Sequence, residues 1–211
     1  MIPRDGQPAP DGPRVAAPLS AQVAALLDHL WMHPPAPEVL ARARLLLLDT
    51  LACAIAGAAA PELRALARDL ARSGPGTLRP TGISETLDPP SLALLLGTAA
   101  CWDEACEGLA RAHGRPGLHT IPAVVALALR DGATLGATLD AIVVGYEVAG
   151  RLGEVLRIRP GMHVDGTWGA SGPRPARRAS PASMFLARWP RSSTPPAACP
   201  PASTCRSRGA R

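Results

Sequence analysis

A chain of 211 residues has room for one domain, or one plus a remnant. Its apolar residues make up 47 % and its aromatics only 3 %, so Ala and Leu must carry the core, which favours packed helices over a β-sandwich rich in Val, Ile, Tyr and Phe. The net charge of +5 divides unevenly: residues 1–165 hold all 17 acidic residues and 14 Arg, whereas Gly166 to Arg211 carries 8 Arg and no acid, and the chain has no Lys.

The elements follow in chain order. Residues 1–17 hold four Pro and two Gly without apolar periodicity and are expected to be disordered. Ser20 reads as a helix N-cap ahead of Val23, Leu26, Leu27 and Leu30. After Pro34 and Pro35 a second helix is predicted from about Pro37 to Ile55, with Gly57 as its stop signal and a second half so apolar that it should lie centrally. A third, amphipathic, runs from Pro61 to about Arg72. Residues 73–90 form a Gly/Pro loop. Ser91 starts a helix reaching about Cys106. Gly114, Pro116 and Gly117 keep 108–122 irregular. Pro122 opens a short helix ending at Asp131-Gly132, and Thr134 caps the longest helix, which runs to about Leu156.

The polar, Pro-rich start has no apolar h-region, so Cys53, Cys101, Cys106, Cys199 and Cys205 read as free thiols in a reducing compartment. The apolar run Leu45 to Ala60 falls short of the ~18 residues of a spanning helix, and Asp49 within it would cost about 2.5–3.5 kcal/mol in a bilayer. A cytoplasmic protein is expected. From Pro173 onward, eight Pro, eight Arg and six Ser occur in 39 residues. Such a segment buries too little surface to offset its ordering entropy, so 173–211 reads as a disordered tail.

Four segments carry a family resemblance: LLLLDTLACAIAG at 45–57, LGTAACWDEACEG at 96–108, HGRPGLHTIPAVVALAL at 113–129, and DAIVVGYEVAGRLGEVL at 140–156 followed by GMHVDGTWGA at 161–170. In order and spacing they resemble the MmgE/PrpD family, the 2-methylcitrate dehydratase-like lyases. The resemblance implies an all-α helical domain, here 18–172 and incomplete. The whole enzymes pair such a domain with a smaller α/β domain at about twice this length, in a homodimer. It also implies cofactor-free dehydration, decarboxylation or epimerisation of small di- and tricarboxylates. Two departures stand out. The family's Asp-x-Asp-Asp cluster reads Glu104-Ala105-Cys106-Glu107, and Arg115 occupies the family's His-Pro position, two residues after His113.

Eliminating water from a β-hydroxy acid needs a base for the α-proton, an acid for the hydroxyl, and cationic groups for the carboxylates. Glu104, Glu107, His113 and His163 are the candidate proton carriers, and Arg111 and Arg115 the candidate carboxylate holders. Blander readings exist for each. Asp103 and Glu107 stand at i,i+4 if their helix continues, with Arg111 as a neutralising partner four residues on. His113 and His119 lie in a Gly/Pro loop, and His163 in a polar turn. Cys101, Cys106, Glu107, His113 and His119 lack tight paired spacing, so no metal site is assigned. Tyr146 is expected to pack, and Glu147 to pair with Arg151. Competing functions are a small helical interaction module and a nucleic-acid binder using the basic tail, which lacks Lys and regularly interleaved aromatics. The preferred reading has neither nucleic acid nor membrane as partner, and no cofactor.

Acidic residues stop at nearly the point where the resemblance stops, and the replacement is what GC-rich Ala and Gly codons yield one base out of register. The tail is therefore expected to be a frameshift product, and the chain an inactive fragment. Reading the coding DNA beyond codon 170 in all three frames should reveal an Ala/Leu-rich helical continuation. If neither alternative frame encodes one, the tail is genuine.

Overall fold

The computed structural model describes residues 18–80 and 82–165. Six α-helices follow one another: α1 (Leu19–Met32), α2 (Pro37–Gly57), α3 (Pro61–Ser73), α4 (Pro89–Ala100), α5 (Pro116–Asp131) and α6 (Leu135–Val155), with a single 3₁₀ turn at Ala110–Ala112. Among the described residues there is no strand, only two isolated antiparallel bridges, Leu78 with Leu87 and Leu109 with Gly114. The all-α expectation holds. The disorder expected of 1–17 and the disorder and frameshift expected of 173–211 lie outside the described residues.

Local chemistry explains most boundaries. Pro occupies the first turn of α2, α3, α4 and α5, where its missing N–H costs nothing and its fixed φ is already helical. Thr134 caps α6 by accepting from the Ala137 N–H at 3.2 Å, and Gly132 ends α5 in the left-handed region at φ 64°.

Four boundaries differ from the sequence reading. Helix α1 begins at Leu19 behind Pro18, which places Ser20 inside it. Helix α4 starts three residues earlier than expected, because the Asp88 side chain, not that of Ser91, caps it, accepting from the Ser91 N–H at 2.9 Å. It also ends at Ala100 rather than near Cys106, and Glu104 just beyond takes φ 54°, which no right-handed helix accommodates. Helix α5 starts at Pro116, six residues before the expected Pro122. Pro122 sits in the helix interior, and its ring removes one intrahelical hydrogen bond without breaking the helix. Helix α6 is no longer than α2: both have 21 residues.

The buried centre is α5, whose Leu118, Thr120, Ile121, Val124 and Ala126 are enclosed as it packs against α2, α4 and α6. One half of the core joins Ala54, Leu63, Ala67, Leu92, Leu95 and Ala99, and the other joins Ala43, Leu47, Ile121, Leu139 and Ile142. Helix α2 touches its neighbours through Ala43, Leu47, Thr50, Ala54 and Gly57, on one face. It is less central than its composition suggested: Leu45, Leu48 and Ile55 on its other face are 57 %, 64 % and 60 % exposed. No helix among the described residues is long and apolar enough to cross a membrane.

Small residues allow the close crossings. A Cβ on Gly57 would stand 2.1 Å from the Ala99 carbonyl oxygen of α4, and backbone cannot yield to it as a side chain could. Gly57→Ala is therefore expected to destabilise the domain by about 1–3 kcal/mol, the usual cost of overpacking. Urea unfolding followed by far-ultraviolet circular dichroism measures it, and an unchanged midpoint would show that the two helices do not cross this closely.

Candidate active site

The polar residues of the core gather around the first turn of α5, where the 101–115 connection, α2, α6 and the 161–165 segment meet. Arg115, at the N-cap of α5, offers no side-chain acceptor to the turn's N–H groups. Glu107 does so from the preceding loop: its Oε1 accepts from the Gly117 N–H at 2.6 Å, and its Oε2 accepts from the Tyr146 hydroxyl of α6 at 3.0 Å. The Glu107 N–H in turn donates to Asp49 Oδ2 of α2 at 3.1 Å. A carboxylate at a helix N-terminus meets both unpaired N–H groups and the positive end of the dipole. A Cβ on Gly117 would come within 2.7 Å of Glu107 Oε1, so this approach needs glycine.

Burial pushes the Glu107 carboxyl up, with the Asp49 charge adding to the rise, while hydrogen bonds from Tyr146, Gly117 and Leu118 pull it down; burial wins. Burial and the Glu107 charge also raise the Tyr146 phenol, which keeps its proton. Glu107 and Tyr146 thus form a hydrogen-bonded pair that holds protons in a partly buried place.

Arg115 organises a second group. Its Nη1 donates to Glu104 Oε2 at 2.5 Å and to Cys106 Sγ at 3.7 Å, and its Nη2 donates to Asp165. His119, one turn into α5, places Nε2 3.3 Å from the other Asp165 oxygen. Arg115, Asp165 and His119 have side chains only 16 %, 18 % and 19 % exposed. The hydrogen bond to Asp165 holds the guanidinium charged. Burial pushes the Asp165 carboxyl up, but the hydrogen bonds and charges of Arg115 and His119 outweigh it and leave it below the usual carboxylate range.

The remaining candidates take outer positions. Glu104 is 70 % exposed and reaches only Arg115. His163 is 74 % exposed, with Nδ1 3.6 Å from Asp165 Oδ2 and accepting from the Asp165 N–H at 3.3 Å. His113 is exposed at φ 50°, capping the 3₁₀ turn. Arg111 points away, to Glu154 of α6 at 3.3 Å. Because α4 ends early, Asp103 and Glu107 do not share a helix face. Glu104 and His113 are the two non-glycine residues with positive φ among the described residues, and both lie in this connection, where strained backbone is often tied to function. The Cys101 thiol donates to the Thr98 carbonyl at 3.4 Å, and burial raises both it and Cys106. No three His, Cys, Asp or Glu side chains are grouped for a metal ion among the described residues.

Sequence reasoning did not single out Asp49, Tyr146 or Asp165. Asp49 had a signal, a carboxylate inside an apolar run. Tyr146 was expected to pack, and its hydroxyl instead binds Glu107; the pairing of Glu147 with Arg151 is present. Asp165 lies 50 residues from Arg115, and no local spacing joins them.

Fold and site together define an all-α domain with its polar centre at the head of its most buried helix. A sequence model of the MmgE/PrpD N-terminal domain matches residues 21–175, well over half of the chain, and the chain belongs to the MmgE/PrpD family. No curated protein and no solved structure matches it.

The two buried carboxylates should give opposite pH signatures. The folded-state pKa of Glu107 is raised, so its contribution to stability is full below the unfolded carboxylate value and is lost as pH rises through the folded one. The folded-state pKa of Asp165 is lowered, so its contribution is present above the unfolded value and is lost as pH falls through the folded one. With rising pH, wild type should lose ground against Glu107→Gln and gain ground against Asp165→Asn. Urea midpoints across the carboxylate range measure both, and parallel slopes would contradict the assignment.

Proposed function

We propose that this domain supplies one wall of the active site of a cofactor-free lyase or epimerase acting on small di- or tricarboxylates. The observation that supports the reading is the placement of a proton-holding pair, Glu107 with Tyr146, and a carboxylate-binding guanidinium, Arg115, around one helix turn. In an elimination the α-carbon loses a proton as the β-hydroxyl leaves as water. The substrate carboxylate must be held so that the developing enolate charge is met by cations. Arg115 suits the carboxylate. Glu107, with its carboxyl raised by burial, suits a proton transfer, with Tyr146 as its hydrogen-bond donor. His163, exposed beside Asp165, is a second candidate proton carrier.

The working form proposed is a cytoplasmic homodimer, needing neither cofactor nor nucleic acid. The basic and phenolic groups of a second domain complete the cleft, and the 211-residue chain alone is expected to be inactive. The experiment is turnover of a panel of hydroxy di- and tricarboxylates, followed by the ultraviolet absorbance of the new double bond. It is run on the 211-residue chain and on a version continued in frame through the downstream coding sequence. The extended version should turn over one member of the panel, and Glu107→Gln and His163→Ala in it should each lower turnover by roughly 10²–10⁴-fold, the range for loss of a general acid or base. No turnover of any panel member by the extended version, folded by circular dichroism, defeats the lyase reading. Unchanged turnover in either variant removes that residue from the mechanism.

A further inference from the structure

The guanidinium of Arg115 is already engaged. Glu104 takes Nη1 from the solvent side, and Asp165 takes Nη2 from a position where its carboxylate is also within 3.3 Å of His119 and 3.6 Å of His163. One carboxylate thus meets a guanidinium and two imidazoles, with its side chain 18 % exposed. That is an environment suited to a carboxylate ligand: a guanidinium that donates to one oxygen, and imidazoles beside both.

We propose that Asp165 is a tethered occupant of the domain's own carboxylate-binding position, and that a small polycarboxylate binds by displacing it from Arg115 and His119. This rests on the reading of the site as a carboxylate site and adds a regulatory contact to it. The exchange puts one ligand carboxylate where the Asp165 carboxylate was, so the Arg115 guanidinium is not left unpaired. Asp165 is attached through the 156–165 segment, which turns at Pro160-Gly161. That segment is held to α6 by the small cluster of Ile158 and Val164 with Leu109, Ala112 and Ala149, so little apolar surface opposes its release. The tether sets the ligand class. A covalently attached carboxylate competes at an effective concentration in the millimolar range, which disfavours a free monocarboxylate. A di- or tricarboxylate gains a second contact, with the exposed His163 imidazole beside the position being vacated. Selectivity for polycarboxylates thus follows from the internal competitor.

The test is calorimetric titration of the full chain with tricarballylate, a tricarboxylate that has no hydroxyl to eliminate. Asp165→Asn removes the competing charge and should tighten binding about tenfold or more over wild type, as expected for loss of a tethered competitor. Adding Arg115→Gln to Asp165→Asn should abolish the gain. Acetate, which lacks the second contact, should remain the weaker ligand in every form. Equal or weaker binding by Asp165→Asn, or a gain that survives Arg115→Gln, overturns the proposal, as does the absence of binding in every form. Circular dichroism melts of Asp165→Asn and Asp165→Ser accompany the titration. Loss of the cooperative helical transition in both makes Asp165 a structural brace and also overturns it. Tightened binding without turnover in any extended chain would sink only the lyase reading, and turnover without tightened binding would sink only the displacement proposed here.

Discussion

The carboxylate of Glu107 is the contact on which the rest of the site depends. It satisfies the N–H groups at the head of α5, takes the Tyr146 hydroxyl from α6, and through its own N–H engages Asp49 of α2. One residue of a loop thereby ties together three helices. A helix end buried without partners costs free energy for each orphaned group. With Arg115 at the N-cap, α5 has no local cap, so the loop must fold back to supply one. The irregular 101–115 connection, with Glu104 and His113 at positive φ and Leu109 bridged to Gly114 at 2.8 Å, is the path the chain takes to bring Glu107 there.

The two polar groups differ in how charge is managed. Around Glu107, two carboxylates approach each other and no cation intervenes directly, so burial raises the carboxyl and the phenol stays protonated. Around Arg115, a permanent cation is bracketed by Glu104 and Asp165, and the carboxylate beside it ionises more readily. Proton-holding and anion-holding environments thus lie on the two sides of a single helix turn. Elimination chemistry asks for that division, since a group that must exchange a proton and a group that must stay charged cannot share one environment.

Much of the fold was legible because apolar periodicity and capping residues report directly on helices. The ends of α3 and the cap of α6 follow from Pro61, Arg72 and Thr134. The largest misreadings, the end of α4 and the start of α5, flank the site. Pro122 is a sound helix-start signal by local rules, yet Pro116 is a better one, and the tertiary cap from Glu107 makes it the true start. The stretch to Cys106 reads as helix by composition, but the chain must leave α4 at Ala100 for Glu107 to reach α5. Among site residues, Glu104, Glu107 and Arg115 were visible because they cluster in sequence. Asp49 and Asp165 were not, since their partners lie 58 and 50 residues away and no period connects them. The departure at Arg115 was visible, and its consequence was not: a buried guanidinium in place of an imidazole needs a carboxylate beside it, and Asp165 provides one.

The composition that first suggested helices also explains why the site can form. With few aromatics and much Ala and Gly, the helices approach closely. On α6 a Cβ at Gly145 would lie 2.3 Å from Thr120 Cγ2 of α5, so the two helices touch where Gly145 meets Thr120. Tyr146 follows Gly145 directly, and His119 precedes Thr120. The crossing therefore sets how far the Tyr146 hydroxyl stands from the head of α5, and 3.0 Å to Glu107 follows from a helix separation that larger residues would forbid. Larger side chains here would widen the α5–α6 spacing and draw the phenol away from the carboxylate, while the apolar core on either side could still repack. Small residues at this crossing thus connect composition to chemistry: they stabilise little by their own burial, and they fix the distance on which the proton-holding pair depends.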